Sequence, residues 1–423
     1  MEDVLKILRD IPIPRVYRVQ YQIESPSINN IPEELTSQLK AASVLSQIKS
    51  GQRIAITLGS RGIANQPLIV RTLIDQLKKA GAEPFVIPAM GSHAGANAKN
   101  QKAMIEGLGF TENYLGVPIK STMEVVQIGT TTPSGLPVYI DKYAYEADGV
   151  ILVNRVKSHT AFQGPVESGV VKMGVIGLGN QKGAEICHEL GFEEMSQRIS
   201  EIAHITIRKA PVLFGIAMIE NAQYNTAEIH VLPQKDIEKK ELQLLKRAKD
   251  LMVRIPFKSL EVLVIDQIGK EISGSGLDSN VVGRYHTGYG SGGPNVRRIS
   301  ILDISDVSHG NGNGLGIADF TTQRAYKKFN FAETYPNALT SNVPVSVKIP
   351  MVLPNDRTCI QAAVKTCLLQ DKKEARLVRI KDTLSLMELE VSENLRVEVE
   401  TNPKLEIIQG PYDLPFNQDG NLF

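Results

Sequence analysis

Apolar and polar positions along the chain follow two rhythms that alternate. Residues 52–58, Gln-Arg-Ile-Ala-Ile-Thr-Leu, form a short apolar run suited to a buried strand, and Gly59-Ser60-Arg61-Gly62 follows as a loop. Leu68, Ile69, Leu73, Ile74 and Leu77 then recur at helical spacing, which predicts a helix over 66–79 closed by Ala80-Gly81. Residues 84–89 give a second strand that runs into Gly91-Ser92-His93-Ala94-Gly95, and a helix is expected over 97–108. A third apolar strand at 148–154 delivers Arg155-Val-Lys-Ser-His159. An apolar, glycine-studded stretch covers 170–179, and a helix is expected over 193–208. Residues 235–253 read as a charged amphipathic helix, a solvated face rather than a binding tail.

Past Ile255-Pro256 the pattern restarts with a strand at 259–266 ending in Gly269-Lys270-Glu271-Ile272-Ser273-Gly274-Ser275-Gly276. The fold expected is α/β with two domains, each a mostly parallel sheet flanked by helices, and an active site in the cleft between them. The domains are placed at 1–255 and 256–399. A tail at 400–423, rich in Pro, Asn and Asp, is expected to pack back on the first domain. Ligands of such sheets sit beyond the carboxyl ends of the strands, where Arg61 and His93 both fall.

Composition narrows the partners. Of 423 residues 42% are hydrophobic and 22% charged, with a net charge of +1, so no overall field recruits nucleic acid or an anionic membrane. Aromatics are 5% and Trp is absent, which argues against base-stacking platforms. Three cysteines without a CxxC pair suit a reducing compartment, and the first residues do not read as a signal peptide. No apolar run approaches the length of a membrane span. The expected location is cytoplasmic.

The candidate chemistry lies in a few loops. His93, His159 and His188, three of seven histidines, follow strands or glycine turns, and each alone reads more readily as a core or surface histidine than as a working one. His204 and His230 fall inside predicted elements and read as structural; His286 and His309 lie in polar loops that decide nothing. Lys172 stands in Glu167-Ser-Gly-Val-Val-Lys-Met-Gly-Val-Ile-Gly-Leu-Gly, a stretch otherwise nearly free of charge. Desolvation there lowers an amine's pKa, favouring a nucleophile or a covalent anchor, against the alternative of a lysine snorkelling out of a buried helix. Gly177-Leu-Gly179-Asn-Gln-Lys-Gly183 spaces as GxGxxxG, which breaks the dinucleotide fingerprint but leaves a turn where backbone can approach a phosphate. Arg61 is placed to fork onto a carboxylate or phosphate, or is simply an exposed loop arginine.

Taken together, Arg61 in Ser60-Arg61-Gly62, His93 in Gly91-Ser92-His93, His159, Lys172 and His188 resemble, in order and spacing, the nickel-pincer lactate racemase family. The 66 residues from His93 to His159 are similar to the separation of that family's two base histidines. The 16 from Lys172 to His188 resemble its gap between cofactor-anchoring lysine and nickel ligand. The resemblance implies an isomerase that racemises or epimerises a 2-hydroxy acid by reversible hydride transfer. It makes His93 and His159 the acid/base pair, Arg61 the carboxylate clamp and Lys270 a substrate contact from the second domain. It also implies nickel held by His188 in a nickel-pincer nucleotide, a pyridinium bisthiocarboxylate mononucleotide, linked to Lys172 with its phosphate near Gly177 and Gly179. Partners implied are the small hydroxy acid and the proteins that mature the cofactor; association of the chain with itself stays open. Two departures border the substrate site: Leu58 replaces the family's aspartate three residues before the arginine, and the segment between His159 and Lys172 is longer. They bear on lactate as the substrate more than on the cofactor. The rival readings are a metal-independent Schiff-base lyase or aldolase using Lys172, a non-catalytic nickel- or cofactor-binding protein, and a nicotinamide dehydrogenase, which the broken glycine fingerprint disfavours.

Overall fold

The computed structural model describes residues 2–23 and 25–423. In chain order the strands are β1 (Val16–Tyr21), β2 (Arg53–Leu58), β3 (Glu83–Pro88), β4 (Val125–Thr130), β5 (Pro137–Asp141), β6 (Gly149–Arg155), β7 (Val212–Glu220) and β8 (Thr226–Pro233). They continue as β9 (Ser259–Ile268), β10 (Asn295–Ile304), β11 (Phe320–Thr322), β12 (Met351–Leu353), β13 (Leu377–Ile380), β14 (Glu388–Ser392) and β15 (Leu405–Tyr412). The chain divides into a central unit, Ser25–Met252, and a terminal unit made of Met1–Glu24 and Val253–Phe423.

In the central unit the sheet order is β3-β2-β6-β7-β8, parallel except for the β7–β8 hairpin. Ile54, Ile56 and Leu58 on β2 and Ile151 and Val153 on β6 are fully buried, as expected where helices cover both faces of a parallel sheet. Helix α1 (Gln66–Lys79) has Pro in its first turn and Lys78 and Lys79 in its last, a good match to the helix dipole. It buries Ile69, Leu73, Ile74 and Leu77 against that sheet, each worth about 1.5–3 kcal/mol. Helix α2 (Ala98–Gly107) follows β3. A helical segment over 170–177, whose second half is a π turn, leads into α3 (Asn180–Glu189) and α4 (Met195–Lys209), and α5 (Ile237–Leu251) ends the unit.

The terminal unit carries an eight-stranded sheet, order β12-β11-β10-β9-β13-β14-β1-β15. It is parallel from β12 to β13 and antiparallel from there on. Both units are thus the mostly parallel, helix-flanked α/β type that the periodicity predicts. The division differs from the expected one at both chain ends. The break falls after Met252, close to the expected 255, but β1 lies between β14 and β15, so the first residues belong with the C-terminal half. The tail pairs with residues 16–21, which lie in the range expected for the first domain but belong to the terminal unit: Val16 faces both Ser392 and Tyr412 across the ladders. Among the described residues no helix is long and apolar enough to cross a membrane.

Candidate active site

Three neighbouring parallel strands of the central unit end at one place. β2 runs out into Gly59-Ser60-Arg61, β3 into Ala89-Met90-Gly91-Ser92-His93, and β6 closes on Asn154-Arg155. Their loops and the 168–177 segment line an open pocket, whose wall includes Ser60, Arg61, His93, Arg155, Lys172 and Gly177.

The His93 loop is held from two sides. Ser60 Oγ meets His93 Nδ1, and the buried Gln101 of α2 donates from Nε2 to the carbonyls of Gly91 (2.9 Å) and His93 (3.2 Å). Gly91 has φ +61°, and a Cβ there would lie 3.2 Å from the Ile176 carbonyl, so only glycine suits that approach. Ala94, Gly95 and Ala96 all sit in the left-handed region just after the histidine, strain of the kind stored at functional loops.

His159 is carried on a loop closed at its base by a bridge between Lys157 and Ser168. The fully buried carboxylate of Glu167 fills that loop and accepts the backbone N–H of His159 (2.8 Å) and of Gly164 (3.2 Å). The Ala161 N–H donates to His159 Nδ1 at 3.1 Å, so the neutral ring carries its proton on Nε2. His159 does not line the pocket wall; it packs on Phe162 with centroids 4.3 Å apart, and Phe162 lies 6.0 Å from the Lys172 ammonium. His188, in the last turn of α3, stands edge-on to Phe192 at 5.7 Å, and Phe192 stacks on Phe162 at 5.9 Å. The structure therefore gathers Arg61, His93, Lys172 and Gly177 on the pocket, and His159 and His188 around the two phenylalanines beside Lys172.

The electrostatics are one-signed. Burial lowers the Lys172 amine to about 8, with the Arg61 and Lys157 charges adding to the shift and Cys187 opposing it. Burial, then the Lys172 and Arg198 charges, lower His188 to about 4, so its imidazole is neutral at physiological pH. Arg61 keeps solvent access at the rim, yet the protein crowded around it, and then the Arg155 charge, hold its pKa below the usual guanidinium value. Arg155 is compensated by a buried ion pair with Glu220. Neither Arg61 nor Lys172 has a carboxylate within ion-pair distance among the described residues. Two uncompensated cations and a histidine on one wall call for an anionic guest.

Other candidates lie elsewhere. Gly179 is the turn residue at the start of α3, between the π turn and that helix, where a Cβ would meet the Val175 carbonyl at 2.5 Å; close packing is enough to exclude a side chain there. Lys270 belongs to the terminal unit, on the turn after β9, where its Nζ donates to the Gly274 carbonyl (2.7 Å). Ser60, Arg155, Phe162, Glu167 and Phe192 are site neighbours that the sequence did not single out. Arg155 alone left a local signal, an arginine at the carboxyl end of an apolar strand, as Arg61 is.

A pocket at the carboxyl ends of parallel strands, in a two-unit α/β chain, is the setting of a small-molecule enzyme site. Residues 9–199 match the family model of the lactate racemase N-terminal domain. The fold is also similar to the lactate racemase apoprotein of Thermoanaerobacterium thermosaccharolyticum, with TM-score 0.54 and 14% identity over 88% of this chain and 99% of that one. No curated protein matches the sequence. Residues 9–199 are thus similar to a lactate racemase N-terminal domain, and the fold of the chain is that of the racemase apoprotein.

Proposed function

We propose that the chain is an isomerase that racemises or epimerises a 2-hydroxy acid, with a nickel-pincer nucleotide carried on Lys172. The observation that carries the reading is the company Lys172 keeps: a desolvated amine, an unpaired arginine and a histidine on one pocket. The residues fit the cofactor. A depressed amine pKa favours covalent attachment, uncompensated cations suit its anionic groups, and a neutral His188 imidazole is the donor type that nickel accepts. Among the described residues no three His, Cys, Asp or Glu side chains converge to hold a metal by themselves, so a metal here takes further donors from a bound group.

Bound there, the cofactor would supply a reversible hydride acceptor. Arg61 would fork onto the substrate carboxylate and keep the planar keto acid from leaving. His93 would take the hydroxyl proton; its Nδ1 faces a serine hydroxyl that can donate or accept, so the ring can exchange tautomers. His159, with Nδ1 occupied by the Ala161 N–H, would present a proton from Nε2. Lys270 enters this proposal as a substrate contact through the family resemblance.

The test is the protein purified from a host that makes the cofactor. Expected are a mass adduct on Lys172, nickel by elemental analysis, and deuterium wash-in at C2 of one member of a panel of 2-hydroxy acids and aldonates. Lys172→Ala should lack the adduct, His188→Ala should lose nickel, and His93→Ala should keep the adduct but lose wash-in. Borohydride trapping of substrate on Lys172 would overturn the reading in favour of an imine-forming lyase.

A further inference from the structure

Helix α5 shows an outward face of Glu238, Lys239, Lys246 and Arg247, and a solvated surface would account for it. Its inward face does not fit that account. Between Ile237 and Leu244, on the apolar stripe, stands Glu241, 1% exposed. Its Oε2 accepts the Val171 N–H at 2.9 Å, and the Val170 N–H points to the same carboxylate, while Oε1 is buried without a hydrogen-bond partner. These are the two residues just before Lys172. Gly169 is the adjoining position, and a Cβ there would lie 2.4–2.5 Å from all three carboxyl atoms, so the backbone has come down onto the carboxylate as far as glycine allows. Asn154 Nδ2 holds the Gly169 carbonyl from the other side at 2.8 Å, fixing the turn between β6 and α5.

Two helical turns further on, Lys249 reaches the His159 loop. Its Nζ pairs with Glu167 Oε1 at 2.6 Å, and Glu167 Oε2 holds the His159 N–H. Glu167 is wholly buried, and this cation and the two backbone N–H groups are the partners that offset its burial inside the loop. Eight residues of helix span about 12 Å, a rigid spacer between the two grips.

We propose that α5 is the positioning element of the site: Glu241 sets the Lys172 turn and Lys249, through Glu167, sets the His159 loop. The inference rests on the reading that Lys172 and His159 serve one site. Neither helix residue touches a ligand in this scheme; both are positioning residues.

The test uses the full-length chain made without nickel or cofactor. Lys172 acetylation and His159 carbethoxylation are followed by peptide mass spectrometry at pH 7. Glu241→Leu removes the acceptor of the Val171 and Val170 N–H groups and keeps the buried face of the helix apolar. The Lys172 turn loosens, the amine regains water and its charge, and labelling falls about tenfold for each pKa unit recovered. His159 labelling stays as in the wild type. Lys249→Met leaves Glu167 buried without its cation, and His159 labelling rises at least about threefold while Lys172 is unaffected. Lys249→Arg restores the His159 rate, and the exposed Lys246→Ala alters neither. If both rates move together in either variant, the helix is a general stabiliser and the proposal is overturned. A variant that leaves its own target's rate unchanged overturns the role of that residue. Because the labelling needs no cofactor, absence of isomerisation by the loaded wild type would sink the functional reading and leave this result standing.

Discussion

At the scale of single residues, the site depends on how each imidazole nitrogen is occupied. His159 has a backbone donor on Nδ1, whereas His93 meets the Ser60 hydroxyl, which can serve either tautomer. On the proposed function, Ser60→Ala should leave attachment at Lys172 unchanged while lowering turnover about 10- to 100-fold, the usual cost of removing the partner that orients a working group. Equal loss of attachment and turnover would show instead that the serine only holds the loop. Arg61, His93 and Lys172 were legible in the sequence because each stands out against its immediate neighbours, a charged or titratable residue at a strand end or in an apolar run. Ser60 and Glu167 were not. Ser60 acts across 33 residues of chain and Glu167 pairs with Lys249 across 82, and nothing local marks either partnership.

At the scale of elements, α5 shows what periodicity can hide. Its charges at 238, 239, 246 and 247 dominate the pattern, yet Glu241 sits where the stripe Ile237, Leu244, Leu245, Ala248 calls for an apolar side chain. An acid on the buried face of an amphipathic helix was the available signal, and it was outvoted by the charge of the whole segment. Its consequence is measurable. Burial raises the Glu241 carboxyl from 4.5 to about 7, with the Val171 and Val170 N–H groups opposing. Between those two pH values the folded chain holds a proton that the unfolded chain releases, so this group's contribution is complete below about 4.5 and is lost as pH rises through about 7. The stability difference between wild type and Glu241→Gln should accordingly fall with rising pH over that window, by an amount on the order of 3 kcal/mol. Paired urea titrations at pH 4.5, 5.5 and 7 would read it, and a difference that is flat or rises with pH would contradict the buried acid. The glycines after Lys172 carry a similar lesson: GxGxxxG suggests a turn, and Gly179 does sit in one at the start of α3, where close approach to the Val175 carbonyl by itself excludes a side chain.

At the scale of the whole molecule, the chain divides into its two units after Met252, and the strand pattern restarts past Ile255-Pro256. The membership of the two chain ends left no local mark. Antiparallel pairing of residues 16–21 with 388–392 and 405–412 joins segments separated by almost the entire chain, and neither strand's composition names its partner. The arrangement gives β1 a keystone role in the terminal unit: it is paired on both sides, and β15 has no other neighbour in the sheet. Val16 and Val19 are fully buried, together worth about 3–6 kcal/mol of apolar burial, a large share of the 5–15 kcal/mol that holds a typical domain folded. A chain beginning at Ser25 should therefore keep the central unit, whose sheet and pocket use none of the deleted residues, while its terminal unit loses the β14–β1–β15 ladder. Limited proteolysis should cut first within 388–423 of the shortened chain and leave 25–252 protected, and the labelling of Lys172 should match the full-length protein. Even cleavage across both units, or a Lys172 rate that changes with the deletion, would mean that the central unit depends on the terminal strand for its fold.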